Sequence, residues 1–410
     1  MRHLRTLIVR YSVTVGMLAV ALILAACGSG GDGGGTPPAT LSGTFIDSPV
    51  EGLPYASSPS GLAGVTGPNG EFSYRSGDSV TFNLGAQFIG VAPGQPQITP
   101  FTLLAITAVP DVRHGWPVNL AQLLLGLDTV PGTDTITLPT TLPTLPLTTC
   151  FSCDNFDAEV IAAGIPLATE ADAIAHLQRQ FAIWGSWATA TTPSELQVIT
   201  FLPDGTYLLA HDNDPAVQGG VDGMERGTYQ WNAATNGFTY TVAVNTDGTG
   251  GLSNPSPTQT PPYTFVIDPA GTTAVLHFGP NVSDEIHLTR VTDATKLFVG
   301  GWRLEEPISD FSAVLTLMSD GTFTFASDAI DTAPAGMERG TYVVDTSTGN
   351  VTLTTTVDTD GAFGVNESPT LPATTVVMAQ IETAIGLDPD FLRVDEGTGN
   401  IANFFRIKVP

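Results

Sequence analysis

The heptapeptide Gly223-Met224-Glu225-Arg226-Gly227-Thr228-Tyr229 recurs without a change as Gly336-Met337-Glu338-Arg339-Gly340-Thr341-Tyr342. Flanking matches extend it. Trp184-Gly185-Ser186-Trp187 answers Val299-Gly300-Gly301-Trp302, and Phe201-Leu202-Pro203-Asp204-Gly205-Thr206-Tyr207 answers Leu317-Met318-Ser319-Asp320-Gly321-Thr322-Phe323. Asn245-Thr246-Asp247-Gly248 answers Asp358-Thr359-Asp360-Gly361. The offsets run from 113 to 116 residues, a drift of the size that loop insertions leave between retained strands. A period this long is a duplicated domain and not a solenoid unit. Any fold assigned to one copy must therefore be built twice.

Each copy reads as an up-and-down antiparallel sheet. Val198 to Phe201 and Tyr207 to Ala210 are β-rich runs flanking a Pro-Asp-Gly turn, and Gly227 to Trp231 with Phe238 to Val244 form a second pair. A Gly-x-Trp opening, an Asp-Gly-Thr-aromatic hairpin and a later Gly-Thr-Tyr strand together resemble bacterial lipocalin-like domains over residues 182–410. The resemblance implies a barrel in which a last-strand arginine packs on the first-strand tryptophan. The candidate locks are Arg290 on Trp187 and Arg406 on Trp302, at separations of 103 and 104 residues. At about 110 residues per copy the barrels are short for that family, so the expectation is a lumen filled by its own side chains, with recognition on loops such as Asp212 to Gly223 and Thr246 to Pro262. Strand alternation is read as placing Val198, Thr200 and Tyr207 on one face of the first hairpin and Ile199, Phe201 and Leu208 on the other. The matching segments of the second copy contribute Leu315, Leu317, Phe323 and Phe325.

Arg2, Arg5 and Arg10 precede an uncharged stretch from Val13 to Ala26 that is too short to span a bilayer and reads as a signal peptide. Leu24-Ala25-Ala26-Cys27 resembles the lipobox of bacterial lipoproteins, which implies acylation at Cys27 and, with Gly28 next, retention at the outer membrane or cell surface. Gly28 to Thr40 is a flexible tether. The segments Asp47 to Tyr55 and Gly67 to Tyr74 resemble small carboxypeptidase-regulatory-like β-sandwich modules. Beyond them, Asn119 to Leu125 reads as a short buried helix, Asp134 to Thr149 as an extended Thr/Leu/Pro tract, and Thr169 as the cap of a helix with Asp172 as its capping-box acid. Ile174, Leu177 and Phe181 form the apolar face of that helix, and His176 rides it as a packed or exposed residue.

The chain thus divides into a signal peptide (1–26), a tether (27–41), a β-sandwich (42–102), a helical and Pro/Thr-rich connector (103–181), and two lipocalin-like repeats (182–293 and 296–410). The fold class expected is mainly β: a small sandwich, a short helical connector and two tandem antiparallel barrels.

Composition narrows the function. Forty acidic and 14 basic residues give a net charge of −26, and only Lys296 and Lys408 are lysines. Nucleic acid as a partner is excluded, because counterion release needs clustered cations. Cys150 and Cys153 form a C-x-x-C pair, expected as a disulfide in an oxidising envelope. A redox site would need a strand before the pair, and a Thr/Leu/Pro tract stands there instead. No nucleophile elbow, zincin motif or phosphate-binding loop occurs, so no catalytic residue, metal site or cofactor is assigned. His211-Asp212-Asn213-Asp214 and the Thr-Asp-Gly turns read as turns before they read as calcium ligands. The duplicated Glu225, Arg226, Glu338 and Arg339 remain as motif residues, each Glu and Arg on opposite faces of its strand. The expectation is a lipid-anchored surface protein with a non-catalytic binding or display role. A structural or adhesive stalk, or an envelope accessory subunit or hydrolase, is the alternative.

Overall fold

The computed structural model describes residues 38–407 apart from 105–114, 146–150, 152–154, 190–195, 214–220, 249, 254–262, 280–284, 305–311, 330–333, 346, 362–363, 367–369, 383–390 and 396–400. The assignments at Cys27, Cys150 and Cys153, and the signal peptide, lie outside these residues.

The chain is mainly β. Of strands β1 (Leu41–Phe45), β2 (Val50–Glu51), β3 (Pro54–Ser58), β4 (Ala63–Val65), β5 (Glu71–Tyr74), β6 (Ser79–Leu84), β7 (Gln87–Pro93) and β8 (Gln97–Ile98), all but β2 form two small sheets, ordered β5-β1-β8 and β4-β3-β6-β7. Phe45, Phe72 and Phe82 meet between them, with ring centroids 4.9–5.5 Å apart. Helix α1 (Gly115–Leu127) packs Leu120, Leu123 and Leu124 onto the same core. Within the Thr/Leu/Pro tract, β9 (Ile136–Thr137) pairs in parallel with β2. Sheets and connector therefore share one apolar interior, to which α2 (Phe156–Ala162) adds Phe156 and Val160.

Helix α3 (Glu170–Gln180) starts where the capping signal places it. Thr169 Oγ1 accepts the Asp172 N–H at 3.1 Å, and its hydroxyl donates to Asp172 Oδ2 at 2.6 Å. His176 is buried; its Nε2 lies 3.0 Å from the Asp47 carbonyl and 3.3 Å from Asp47 Oδ1, tying the helix to the N-terminal sheets.

Two closed eight-stranded antiparallel barrels follow. The first runs β10 (Gly185–Thr189), β11 (Leu196–Phe201), β12 (Thr206–Asp212), β13 (Gly223–Trp231), β14 (Gly237–Asn245), β15 (Tyr263–Ile267), β16 (Thr273–His277) and β17 (Glu285–Arg290). The second runs β18 (Gly300–Leu304), β19 (Ala313–Leu317), β20 (Thr322–Ser327), β21 (Gly336–Asp345), β22 (Asn350–Asp358), β23 (Ala373–Glu382), β24 (Phe391–Asp395) and β25 (Ile401–Arg406).

The hairpin register corrects the assignment of faces. Phe201 pairs with Tyr207 and Ile199 with Leu209, so these four share the lumen, while Val198, Thr200, Leu208 and Ala210 face outward. The pairing keeps odd residues opposite odd ones across the turn, whereas the expected faces switch parity there and set Tyr207 beside Val198 and Thr200. Both faces are nonetheless buried, because the outer one meets the second barrel. Leu208, Ala210 and Met224 join Val314, Ala326 and Met337 in one core.

Candidate functional site

The repeated heptapeptide is structural at nearly every position, and its geometry locates the site. A side chain on Gly223 or Gly336 would strike the backbone at Asp247 or Asp360, and one on Gly227 or Gly340 would strike the carbonyl of Thr241 or Thr354 beside a register shift. Met224 and Met337 pack between the barrels. Tyr229 Oη donates to the Leu202 carbonyl at 2.9 Å and Tyr342 Oη to the Met318 carbonyl at 2.8 Å, which fixes each Asp-Gly hairpin.

The glutamate and the arginine do different work on opposite faces. Arg226 points outward, with Nε 2.7 Å from Asp328 Oδ2 of the second barrel. Arg339 reciprocates with Asp212 of the first. Arg303 Nη1 adds a third bridge to Asp204 Oδ2 at 3.1 Å. Glu225 points inward, and its carboxylate accepts the N–H groups of Leu252 (3.0 Å) and Ser253 (2.7 Å). Glu338 accepts those of Val365 (2.7 Å) and Asn366 (3.2 Å). Each glutamate therefore straps a loop across one mouth of its barrel.

These carboxyl groups are fully buried beside a second acid, Asp247 in one copy and Asp360 in the other. Burial first, then the charge of Asp247, pushes Glu225 up to about 7. Burial first, then the charge of Asp360, holds Glu338 well above the usual carboxylate range, and burial with the neighbouring Asp358 takes Asp360 to about 8. The copies differ here: His211 Nδ1 lies 3.2 Å from Asp247 Oδ2, whereas Ser327 Oγ donates to Asp360 Oδ2 at 3.1 Å.

The Trp–Arg pairs sit on the seams that close the barrels. Trp187 is the cross-strand partner of Arg290, and Trp302 that of Arg406. The guanidinium carbons lie 3.9 and 4.3 Å from the ring centroids. Arg290 also donates to the carbonyls of Trp184 (2.7 Å), Ala182 (2.5 Å) and Gly271 (2.5 Å), so it joins three segments at the end of the barrel opposite the strap. Arg406 donates to the carbonyls of Val299 (3.1 Å) and Leu297.

The lumens are not alike. In the first, Phe201 stacks edge-on against Tyr229, Phe238 and Phe265 at 4.8–5.8 Å, and Phe265 does the same with Trp187 at 5.5 Å. In the second, register replaces Phe201 by Leu317, Phe238 by Val351, Tyr240 by Leu353 and Phe265 by Ala379. Phe265 and Ala379 donate to the equivalent turn carbonyls of Asn236 and Gly349, which fixes the last correspondence. The lost rings leave an apolar cavity of ≈ 50 Å³, walled in part by those four aliphatic residues, lined also by Phe298 and Phe404, and closed toward the strap by Gly364 and Val365. One water needs roughly 10–15 Å³ on that scale. The first lumen is filled by its own side chains as expected, and the second departs from that expectation only by this gap, which is well short of the roughly 300 Å³ of a ligand pocket.

The two loops offered for recognition fall largely outside the described residues. Histidines that look dispersed in sequence are partly gathered by the β16–β17 hairpin: Glu285 lies 3.2 Å from His277 Nδ1 and 3.4 Å from His287 Nε2 on the barrel exterior. Cross-strand pairing, invisible in spacing alone, brings them together. Among the described residues no set of three or more His, Cys, Asp or Glu side chains is arranged to hold a metal ion. No family model, curated protein or solved structure matches this chain.

Proposed function

We propose that this chain is a non-catalytic binding protein, carried at the outer membrane or cell surface by a lipid on Cys27, whose second barrel takes a small apolar ligand. The observation that carries the reading is the cavity walled by Leu317, Val351, Leu353 and Ala379 where the first barrel is packed with rings. A duplicated domain that keeps its strapping glutamate, its Trp–Arg seam and its hairpin lock, yet loosens the packing of one lumen, has the division of labour of a scaffold copy and a binding copy. An apolar wall offers a ligand burial without directional bonds, and the size of the space limits the class supported to a hydrocarbon of a few heavy atoms. The lipocalin-like likeness of both repeats and the lipobox-like Leu24-Ala25-Ala26-Cys27 support the same reading. The three inter-barrel bridges and the filled first lumen favour a second reading, a rigid stalk that displays its loops.

Native mass spectrometry of the protein purified from its own envelope tests the proposal. A retained apolar mass that is lost in Ala379→Leu supports the binding reading, and the same spectrum for both proteins supports the stalk. A Cys27→Ser chain recovered from the membrane fraction with an undiminished lipid label removes the anchoring.

A further inference from the structure

The segment that walls the cavity on one side is the segment held by Glu338. Gly364 and Val365 line the cavity, and Val365 and Asn366 donate their N–H groups to Glu338 Oε1. Gly364 lies so close to the same oxygen that a side chain there would collide with it. Thr355 Oγ1 donates to Glu338 Oε2 at 3.2 Å, and Asn366 Nδ2 donates to Asp358 Oδ2 at 2.8 Å. One carboxyl group thus holds the cover over the apolar space.

The charges around that group are almost all negative. Asp360 is fully buried beside it, with Oδ2 on Ser327 and no hydrogen-bond partner for Oδ1. Asp358 ends β22 as the cross-strand partner of Glu338 and faces the strap through Asn366. The nearest cation in sequence, Arg339, turns to the opposite face and bridges Asp212 of the first barrel, and Arg226 is engaged by Asp328. The first copy is softened at two matching positions. It has His211 against its second acid where the second copy has Ser327, and Asn245 where the second has Asp358. The binding copy has therefore lost a base and gained an acid around the latch.

We propose that Gly364–Asn366 is a gate over the cavity of the second barrel, latched while the Glu338–Asp360 pair keeps its protons and released when the pair ionises to solvent. The inference rests on the reading of that cavity as a ligand site. Its physics is short. Two adjacent buried anions gain most of their lost hydration if water reaches them, a gain set against the stronger N–H bonds an ionised Glu338 accepts, and Gly364 to Asn366 carry no strand or helix hydrogen bonds. The raised proton affinities of Glu338 and Asp360 set the working range near and above neutral pH. A ligand would enter from a neutral or alkaline medium and be retained on acidification.

The test uses the processed full-length chain and xenon, a neutral apolar atom whose uptake and exchange are read by xenon NMR. The association rate is expected to rise about tenfold or more between pH 6 and pH 9 in the unaltered protein. It is expected to stay at the acid value in Glu338→Gln, which keeps an acceptor oxygen and cannot ionise. Ala379→Leu fills the cavity and should abolish uptake at every pH. Uptake that is sensitive to Ala379→Leu yet flat with pH overturns the gate and leaves the cavity reading standing. Absence of any such uptake overturns the cavity reading, and amide exchange then judges the latch by itself. Protection of Val365 and Asn366, corrected for base catalysis, should fall about tenfold or more above pH 8 in the unaltered protein and not in Glu338→Gln, or in Asp360→Asn if the first variant does not fold. Protection that does not change with pH overturns the gate.

Discussion

Arg226 of the first barrel lies 2.7 Å from Asp328 of the second, and the residues at the equivalent positions, Arg339 and Asp212, make the same bridge in the other direction. Swapping the two copies maps the pair of bridges onto itself, which is the relation an isologous dimer shows across a two-fold axis. The apolar centre obeys it as well: Met224 and Met337 are both fully buried in the shared core, as are Ala210 and Ala326. The tandem barrels are thus packed as a fused dimer, and the arginine of the repeated motif is the residue that holds them.

Arg226→Ala should therefore destabilise the pair of barrels by about 1–3 kcal/mol, since Asp328 is almost wholly buried and loses its guanidinium. The checking measurement is a double-mutant cycle with Asp328→Ala in urea unfolding. A coupling energy below about 0.5 kcal/mol would reduce the bridge to a surface contact.

Arg290→Ala should cost more than Arg406→Ala, by about 1 kcal/mol or more. Both lose a cation–π contact and carbonyl acceptors, but the carbonyls of Trp184, Ala182 and Gly271 that Arg290 holds lie at a more buried seam than those of Val299 and Leu297 held by Arg406. Arg290→Lys should rescue little, because an ammonium cannot cover the ring and reach three carbonyls at once. Comparing the midpoints of the three variants in denaturant gives the answer, and equal costs for the two arginines would contradict it.

The copies make opposite predictions for size changes in the lumen. Phe265→Ala should cost about 3–5 kcal/mol, as it removes a ring wedged between Trp187, Phe201 and Phe238. Ala379→Leu, at the equivalent place in the second barrel, should be tolerated within about 1 kcal/mol because it grows into existing space. Thermal unfolding of both variants checks the pair, and a large loss in Ala379→Leu would mean that the cavity is narrower than drawn.

Much of this architecture is legible in the residues, for identifiable reasons. Asp-Gly turns and alternating β-branched runs announce the hairpins, and the recurrence of the heptapeptide announces two copies. The Trp–Arg positions follow from the family resemblance, and the register places each pair side by side on its seam. Parity around the turn at Pro203 was not legible, because a buried outer face erases the polar alternation that would have fixed it. Nor was the partner of Arg226, since nothing local encodes how one barrel leans on another. The cavity was legible in principle. Phe201, Phe238 and Phe265 against Leu317, Val351 and Ala379 is a difference between copies, whereas a repeat is recognised by what its copies share.

The carboxyl pairs make stability depend on pH in an unusual direction. Glu225, Glu338 and Asp360 hold their protons more tightly in the folded chain than an exposed carboxyl does, so the folded state binds more protons than the unfolded one between about pH 4 and pH 8. Their favourable contribution is complete below the ordinary carboxylate range and is lost as pH rises through about 7 for Glu225 and about 8 for Asp360. The protein should therefore be more stable at pH 5.5 than at pH 9, the reverse of a protein whose buried acids are paired with cations. Glu338→Gln removes one of the ionisations. That variant should lose a few tenths to about 2 kcal/mol at pH 5.5, where a good hydrogen-bonded acid is replaced, and should narrow or reverse the gap to the unaltered protein at pH 9. Urea midpoints at the two pH values decide the matter. Stability that rises from pH 5.5 to pH 9, or a Glu338→Gln deficit equal at both, would show that the pair is already ionised in the folded protein.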